Sequence, residues 1–360
     1  MKVGSISEFK KTGQVIHITK DSDIIDFHKN NTFNNFTQTL EAVAWNNSRS
    51  IGKITSNILG VYDTDDKLTS ICVYNIIKAR RGTALEIVHG PLMVDFSVGL
   101  LEQYLVSIKQ IALKEGCDYI RINLFYPETP VSHNLFKKLK YINTPFENML
   151  NLTSVVDLKG KNPDSLLLSF SKTLRQDIRK FDKQLAHSTI NTLEVVYDEV
   201  LDDECRAIYD SVMTRNEYSG TTYNSIVKES EFYSSRSNGF VAKLKVDGKV
   251  VAYETYIINN EYAVNHYGAS LIDPNCKSNY AAYLDYHAML KLINMGVTRY
   301  DFWGVSSESA INHPWNKLSF FKRRFKGQDY SFGKGKDLPL TNKYWILYLY
   351  EKMLKKKRGY

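Results

Sequence analysis

Residues 99–125 read GLLEQYLVSIKQIALKEGCDYIRINLF, and residues 281–305 read AAYLDYHAMLKLINMGVTRYDFWGV. Both stretches follow one grammar. An amphipathic helix stops at a glycine, and a strand containing a tyrosine follows. Leu101, Leu105, Ile108 and Ala112 make one helical stripe; Ala281, Leu284, Ala288, Leu292 and Met295 make the other. Gly116 and Gly296 are the expected helix stops, and they lie 180 residues apart. Upstream, LGVYDTDDKLTSICVYNI (59–76) and AKLKVDGKVVAYETYII (242–258) each read as strand, acidic turn, strand. Lys67 and Lys249 both open the second strand, at an offset of 182. Two landmarks with nearly the same offset, in the same order, describe two copies of a hairpin–helix–strand module. Such a module is an α/β (α+β) unit built on a mixed sheet flanked by helices.

The seam between the copies is expected near NLTSVVDL (151–158), which the turn-rich KGKNPDS follows. The domains are therefore expected over 1–155 and 156–334. A C-terminal helix over 340–360 is expected to pack back on the first, with Ile346, Leu349 and Met353 on one face. Its ending, KKKR, reads as a solvated helix end favoured by the helix dipole. The alternative, contact with an anionic membrane surface, requires a second signal.

The chain has 47 Lys and Arg against 39 Asp and Glu, a net charge of +8. That excess favours anionic partners: RNA, phosphorylated precursors or a lipid surface. The four Cys form no CxxC pair, so neither a zinc site nor a disulfide framework is expected, and the thiols fit a cytoplasmic compartment. No apolar h-region opens the sequence, and no apolar run is long enough to span a membrane. The eight His show no metal-ligand spacing, so no metal is expected.

Two cationic segments stand out. In SFSKTLRQDIRKFDKQL (169–185), Lys172, Arg175, Arg179 and Lys183 share one helix face and Leu174, Ile178, Phe181 and Leu185 another. Like charges at this spacing repel by a few tenths of a kcal/mol. The stripe either meets phosphates or forms a solvated back on which Asp177 and Asp182 partly neutralise it. In FFKRRFKG (320–327), Lys322, Arg323, Arg324 and Lys326 are set among Phe320, Phe321 and Phe325, rings that either fill the core or stack on bases. GxSxG, the P-loop and GxGxxG are all missing, which argues against serine hydrolases, NTPases and dehydrogenases. Acyl transfer in which the acceptor amine attacks directly needs no protein nucleophile. It needs positioning, a donor near the oxyanion and removal of a proton.

The doubled module is similar to two GNAT-type acyltransferase folds in tandem. FTQTLEAVAWNNSR (36–49), HGPLMVDF (89–96), DYIRINLFYP (118–127), SKTLRQDIRKFDK (171–183), YGAS (267–270), YAAYLDYHAMLKLINMGVTRYDFWG (280–304) and LSFFKRRF (318–325) resemble, in order and spacing, the FemABX family. Its members transfer amino acids from aminoacyl-tRNA to the peptide stem of peptidoglycan precursors. The resemblance implies that Arg49, four residues after Trp45, contacts the phosphates of a nucleotide-linked acceptor. It implies that Lys322, after Phe321, lies by the transfer centre, and that Tyr267 lines the substrate channel. Asn123 stands where the family often has an acidic residue, and the family's basic residue before a YF-type segment has no clear match in SGTTYNSIVKESEFY (219–233). Both departures bear on the acceptor.

The expected function is aminoacyl transfer from aminoacyl-tRNA to an amine of a UDP- or lipid-linked cell-envelope precursor, without a bound cofactor. The expected compartment is the cytoplasm, with peripheral contact at the inner membrane surface as a further partner. Arg323 and Arg324 join the substrate-binding set, and Lys172, Arg175, Arg179 and Lys183 form the tRNA-facing set. The alternative is an acyl-CoA-dependent N-acyltransferase acting on an amino sugar of a surface polysaccharide. Coenzyme A enzymes of this fold usually show Q/R-x-x-G-x-G/A before a helix, and PNCKSNYAAYL (274–284) lacks those glycines. A third reading is a binding module whose transferase site has decayed. Asp301 and Tyr267 are the candidates for taking the amine's proton, and no residue pattern fixes an oligomeric state.

Overall fold

A computed structural model of the chain describes residues 13–31, 35–50, 52–146, 151–187, 190–197, 200–215, 221–272, 279–309 and 313–358. The chain divides into two compact units, residues 1–151 with 331–360, and residues 152–330.

The first unit holds β1 (Ile16–His17), α1 (Asp21–Asn30), α2 (Leu40–Arg49), β2 (Ile54–Tyr62), β3 (Leu68–Ala79), β4 (Gly82–Val88), β5 (Leu92–Met93), α3 (Val98–Lys114), β6 (Tyr119–Asn123), α4 (Pro130–Lys138) and β7 (Ile142–Asn143). The second holds β8 (Leu152–Asp157), α5 (Pro163–Ser169), α6 (Lys172–Ala186), β9 (Leu193–Tyr197), α7 (Asp203–Arg215), α8 (Tyr223–Ser234), β10 (Gly239–Val246), β11 (Lys249–Asn259), β12 (Tyr262–Ser270), α9 (Tyr280–Asn294), β13 (Arg299–Gly304), α10 (Asn316–Arg323) and β14 (Gln328–Ser331). The chain then returns to the first unit with β15 (Lys336–Pro339) and α11 (Tyr344–Arg358).

Each unit has one mixed sheet. The first runs β1-β2-β3-β4-β6-β15-β7, with the short β5 paired to β3; the second runs β9-β10-β11-β12-β13-β8-β14. The orders match strand for strand. In both, an antiparallel meander is followed by one parallel neighbour, β4–β6 or β12–β13, and then by an antiparallel strand, β15 or β8. In the first unit that last strand comes from 336–339, after the whole of the second unit.

Local chemistry explains the repeated elements. The β10–β11 turn is Asp247–Gly248, both at positive φ, the geometry of a two-residue hairpin turn that follows the sheet twist. Asp247 Oδ1 also accepts from the backbone N–H groups of Asn191 and Thr192. Ser97 caps α3 and Asn279 caps α9, each accepting from a backbone N–H of the first turn. Gly116 and Gly296 follow these helices at φ 67° and 83°, where a Cβ would be strained. Leu101, Leu105, Ile108 and Ala112 are fully buried against the first sheet, and Leu284, Ala288 and Leu292 against the second. Each such leucine contributes about 1.5–3 kcal/mol. Met295, placed on the stripe by its spacing, is exposed because α9 has ended at Asn294.

The helix expected over 169–185 is two helices. Ser169 ends α5, and Ser171 caps α6 by accepting from Leu174 N. The C-terminal helix presents its faces in an order that the sequence pattern did not anticipate. Tyr344 and Leu347 point inward onto Ala84 and Tyr119, while Ile346, Leu349 and Met353 point out. Arg121, buried on β6, holds this segment. It donates to both Asp337 oxygens on β15 at 2.8 Å and to both Glu351 oxygens on α11 at 3.0 and 2.7 Å.

Candidate active site

Sheet register locates the opening. In the first unit β4 and β6 stay paired over five rungs, from Ala84–Tyr119 to Val88–Asn123. In the second, β12 and β13 pair only at Tyr262–Arg299, Ala263–Tyr300 and Val264–Asp301, although β12 continues to Ser270 and β13 to Gly304. Beyond Val264 the two strands follow other partners. β12 bulges against β11 near Asn265–Tyr267, and β13 breaks register against β8 between Asp301 and Gly304. Trp303, at φ 57°, sits in that break, where its side chain is re-aimed. Parallel strands that part in mid-sheet leave backbone and side chains open to a ligand.

Next to this divergence lies a buried polar network. Asn265 is the first β12 residue past the last shared rung. Its amide donates to Asp285 Oδ1 at 3.1 Å and to the Tyr300 hydroxyl at 3.0 Å. Tyr300 donates to Asp285 Oδ1, and Tyr256 donates to Glu254. The two tyrosine hydroxyls are 3.3 Å apart. Asp285 and Glu254 are 1% and 4% exposed; among the described residues Asp285 Oδ2 receives no N–H or tyrosine O–H, and the carboxyl lies against that of Glu254, with which it can share a proton. Lys322, on α10, donates to the carbonyl of Gly304, at the end of β13, at 3.0 Å.

The electrostatics follow from this packing. Burial pushes the Asp285 carboxyl up to about 7, against the hydrogen bonds from Tyr300 and Asn265. Glu254 is raised too, first by burial and then by the charge of Asp285. Burial lowers the Lys322 ammonium to about 8, while Asp301, Asp285 and Glu254 pull the other way. Three carboxyls, Asp285, Glu254 and Asp301, raised and one ammonium lowered in one place is the pattern of an acid–base site. Asp301, the charge that acts most on Lys322, also ties down the strand break: it accepts from Thr153, Tyr262 and the N–H of Trp303, and burial raises its carboxyl.

The residues singled out by sequence fall in several places. Phe321 rests at the edge of the core, its ring 5.6 Å from that of fully buried Phe325, while Phe320 is exposed. Arg323 is engaged with Asp329 at 2.7 Å and with the Ser306 carbonyl at 2.7 Å; Arg324 pairs with Asp177 of α6. Both serve to fix α10 in this structure. Tyr267 faces the α7–α8 layer, its hydroxyl 3.3 Å from Thr221 Oγ1, on the side of the sheet away from Asp285. On α6, Lys172, Arg179 and Lys183 are exposed, but Arg175 turns back to the carbonyls of Leu168 and Phe170. In the first unit Trp45 is a core residue of α2, and Arg49 is exposed near half-buried Glu86, whose carboxyl is raised by desolvation. Asn123 is buried with Nδ2 unpartnered among the described residues. The segment 273–278, which includes most of the loop weighed for coenzyme A, and residues 219–220 of the SGTTYN segment lie outside the described residues.

Asp285 and Glu254 escaped the sequence reading, yet each left a signal. Asp285 lies four residues after Ala281 and three before Ala288, so it falls on the apolar stripe of α9. Glu254 interrupts an otherwise apolar strand, VVAYETYII. A carboxylate at a core position is rare unless paired or functional. Among the described residues no group of three or more His, Cys, Asp or Glu side chains is placed to hold a metal ion.

Comparison with known proteins bears on the fold. Residues 19–138, within the first unit, match the model of the FemAB family. No curated protein matches the sequence. The crystal structure of FemX superposes with a TM-score of 0.74 at 15% identity, covering 93% of this chain and 99% of that one. A tandem GNAT protein from the clavulanic acid biosynthesis pathway gives 0.54 at 8% identity, with coverages of 91% and 98%. The C-terminal domain of a putative lysylphosphatidylglycerol synthetase from Agrobacterium fabrum gives 0.52 at 15% identity, with coverages of 93% and 98%. The fold is a tandem pair of GNAT-like α/β units, and the FemABX resemblance read from the sequence is borne out over the matched segment.

Proposed function

We propose that this FemABX-like acyltransferase moves an amino acid from aminoacyl-tRNA to an amine of a peptidoglycan precursor, with the transfer centre at Lys322. The observation that carries the proposal is the Lys322 ammonium, set among buried carboxyl groups where β12 and β13 part.

The acceptor amine attacks the ester carbonyl carbon. The new C–N bond forms and the C–O bond to the 3′ oxygen of the donor breaks. Lys322 stabilises the developing oxyanion and gives its proton to the departing oxygen. The amine's proton passes to Asp285, which lies against the Glu254 carboxyl, and returns from there to Lys322. The protein therefore neither gains nor loses a proton over one turnover. Phe321, anchored against Phe325, holds α10 and its lysine in register with Gly304.

The exposed cations of α6, Lys172, Arg179 and Lys183, support an RNA donor. The first unit's match to the FemAB family supports a cell-wall precursor as acceptor, with exposed Arg49 toward its phosphates. A mass-spectrometric assay tests the reading. Charged tRNA and acyl-CoA are offered separately, with a UDP-linked muropeptide and an amino-sugar nucleotide as acceptors. The expected product is the muropeptide heavier by one aminoacyl residue, formed from charged tRNA alone. Transfer from acyl-CoA alone overturns it.

A further inference from the structure

We propose that the outward face of α11 is a docking surface for an anionic lipid bilayer. The proposal stands apart from the transfer chemistry of the second unit.

The helix has two opposed apolar faces. The inner one, Tyr344, Leu347 and Tyr348, packs against Ala84 and Tyr119. The outer one is Trp345, Ile346, Leu349 and Met353, which are 47%, 73%, 62% and 71% exposed. At ~100° per residue these four side chains fall within roughly a quarter to a third of the helix circumference. They form one continuous stripe about two turns long. A stripe of tryptophan, isoleucine, leucine and methionine in water is unusual unless something covers it.

The charges beside the stripe say what does. Lys352 flanks it on one side and Lys356 follows its C-terminal end; both are exposed. On the other side stand exposed Lys343 and Arg81, the latter lying 3.8 Å from the ring of Tyr350. Exposed Lys78 and Arg80, at the same β3–β4 hairpin as Arg81, add to the positive field. The one acid of α11, Glu351, is turned inward onto Arg121. The outer face is thus apolar along its middle and positive along both margins. That is the arrangement of a helix lying in a membrane interface, with its stripe among acyl chains and its lysines at the headgroups. A second copy of this chain would bring like charges together along both margins. An RNA would meet the cations but leave the aliphatic stripe wet, because isoleucine, leucine and methionine offer no ring to stack on. The four-bond clamp on Arg121 holds the helix to the sheet, so its orientation is fixed before it meets the bilayer.

The test uses the full chain with vesicles of phosphatidylglycerol and phosphatidylcholine in equal parts, and of phosphatidylcholine alone. Co-sedimentation is expected with the first and not the second. It should weaken by more than about tenfold in Ile346→Glu/Leu349→Glu, and similarly in Lys352→Glu/Lys356→Glu, with secondary structure unchanged. Quenching by lipids brominated on the acyl chain should reach Trp345, read as the difference from Trp345→Phe. That measurement leaves the stripe otherwise intact should the charged variants misfold. Equal binding by the stripe variants, no quenching of Trp345, or a dimer that Ile346→Glu dissociates in the absence of lipid would each overturn the proposal.

Discussion

Replacing Asp285 with Asn should abolish turnover while making the protein more stable above neutral pH. In the folded chain burial pushes this carboxyl from an ordinary value of 3.8 to about 7. The folded state therefore keeps a proton that the unfolded state gives up. The stability associated with it is complete below pH 3.8 and is lost as the pH rises to about 7. A shift of about three units at 1.36 kcal/mol each makes the loss ~4 kcal/mol. Asn cannot ionise, keeps an oxygen to accept from Tyr300, and carries no such dependence. Wild type and Asp285→Asn should therefore have similar stabilities near pH 4. They should diverge with rising pH to a difference of about 4 kcal/mol in favour of the variant, level above pH 7. Urea denaturation at intervals from pH 4 to pH 9, alongside turnover, gives both curves. Parallel stability curves would show that the carboxyl is not held protonated. A fully active variant would remove Asp285 from the proton path.

Three other outcomes are expected. Lys322→Ala should lower turnover by roughly 10²–10³, the scale for one preorganised donor, whereas Arg323→Ala, which loses ties to Asp329, Glu308 and the Ser306 carbonyl, should affect turnover far less; steady-state kinetics of the two purified variants makes the comparison. The rate should follow a bell-shaped pH curve, rising as Asp285 loses its proton near pH 7 and falling as Lys322 does near pH 8, and the alkaline limb should be missing from Lys322→Ala when the profile is measured at saturating substrates. Arg121→Ala leaves the Asp337 and Glu351 carboxylates without their counter-charge, so it should destabilise the first unit by about 3–5 kcal/mol in urea denaturation.

The repeat was legible because its periodicity and its stops are local properties. Asp-Gly turns, helix stripes and terminal glycines act on their own neighbourhood, and an offset near 180 needs only two of them to be noticed. The strand order was not legible. Nothing in KDLP (336–339) announces a strand filling the slot that 152–157 fills in the other unit, since pairing partners are set by long-range register. Lys322 was legible as a cation beside a ring. The groups it faces were not, because Glu254 and Asp285 are ordinary residues made unusual only by burial from three elements at once. The reverse occurred at Arg323 and Arg324. Their charge suggested a ligand, but Asp329 and Asp177 lie within reach in space and satisfy them. Ile346, Leu349 and Met353 form the face that the pattern indicates, but a periodicity does not say which of two apolar faces meets the protein.

The place of β15 has a consequence for the order in which this protein can be made. Its four residues fill the sheet position between β6 and β7, and Arg121 waits on Asp337 for its counter-charge. During synthesis the first unit emerges first, yet its sheet stays short of an internal strand until residues 336–339 follow. The second unit, contiguous from 152 to 330, has every strand it needs before that. Translation thus inverts the usual sequence, in which the domain made first folds first. The amino-terminal unit is completed last, and until then a buried arginine and two open strand edges depend on a segment that has yet to leave the ribosome.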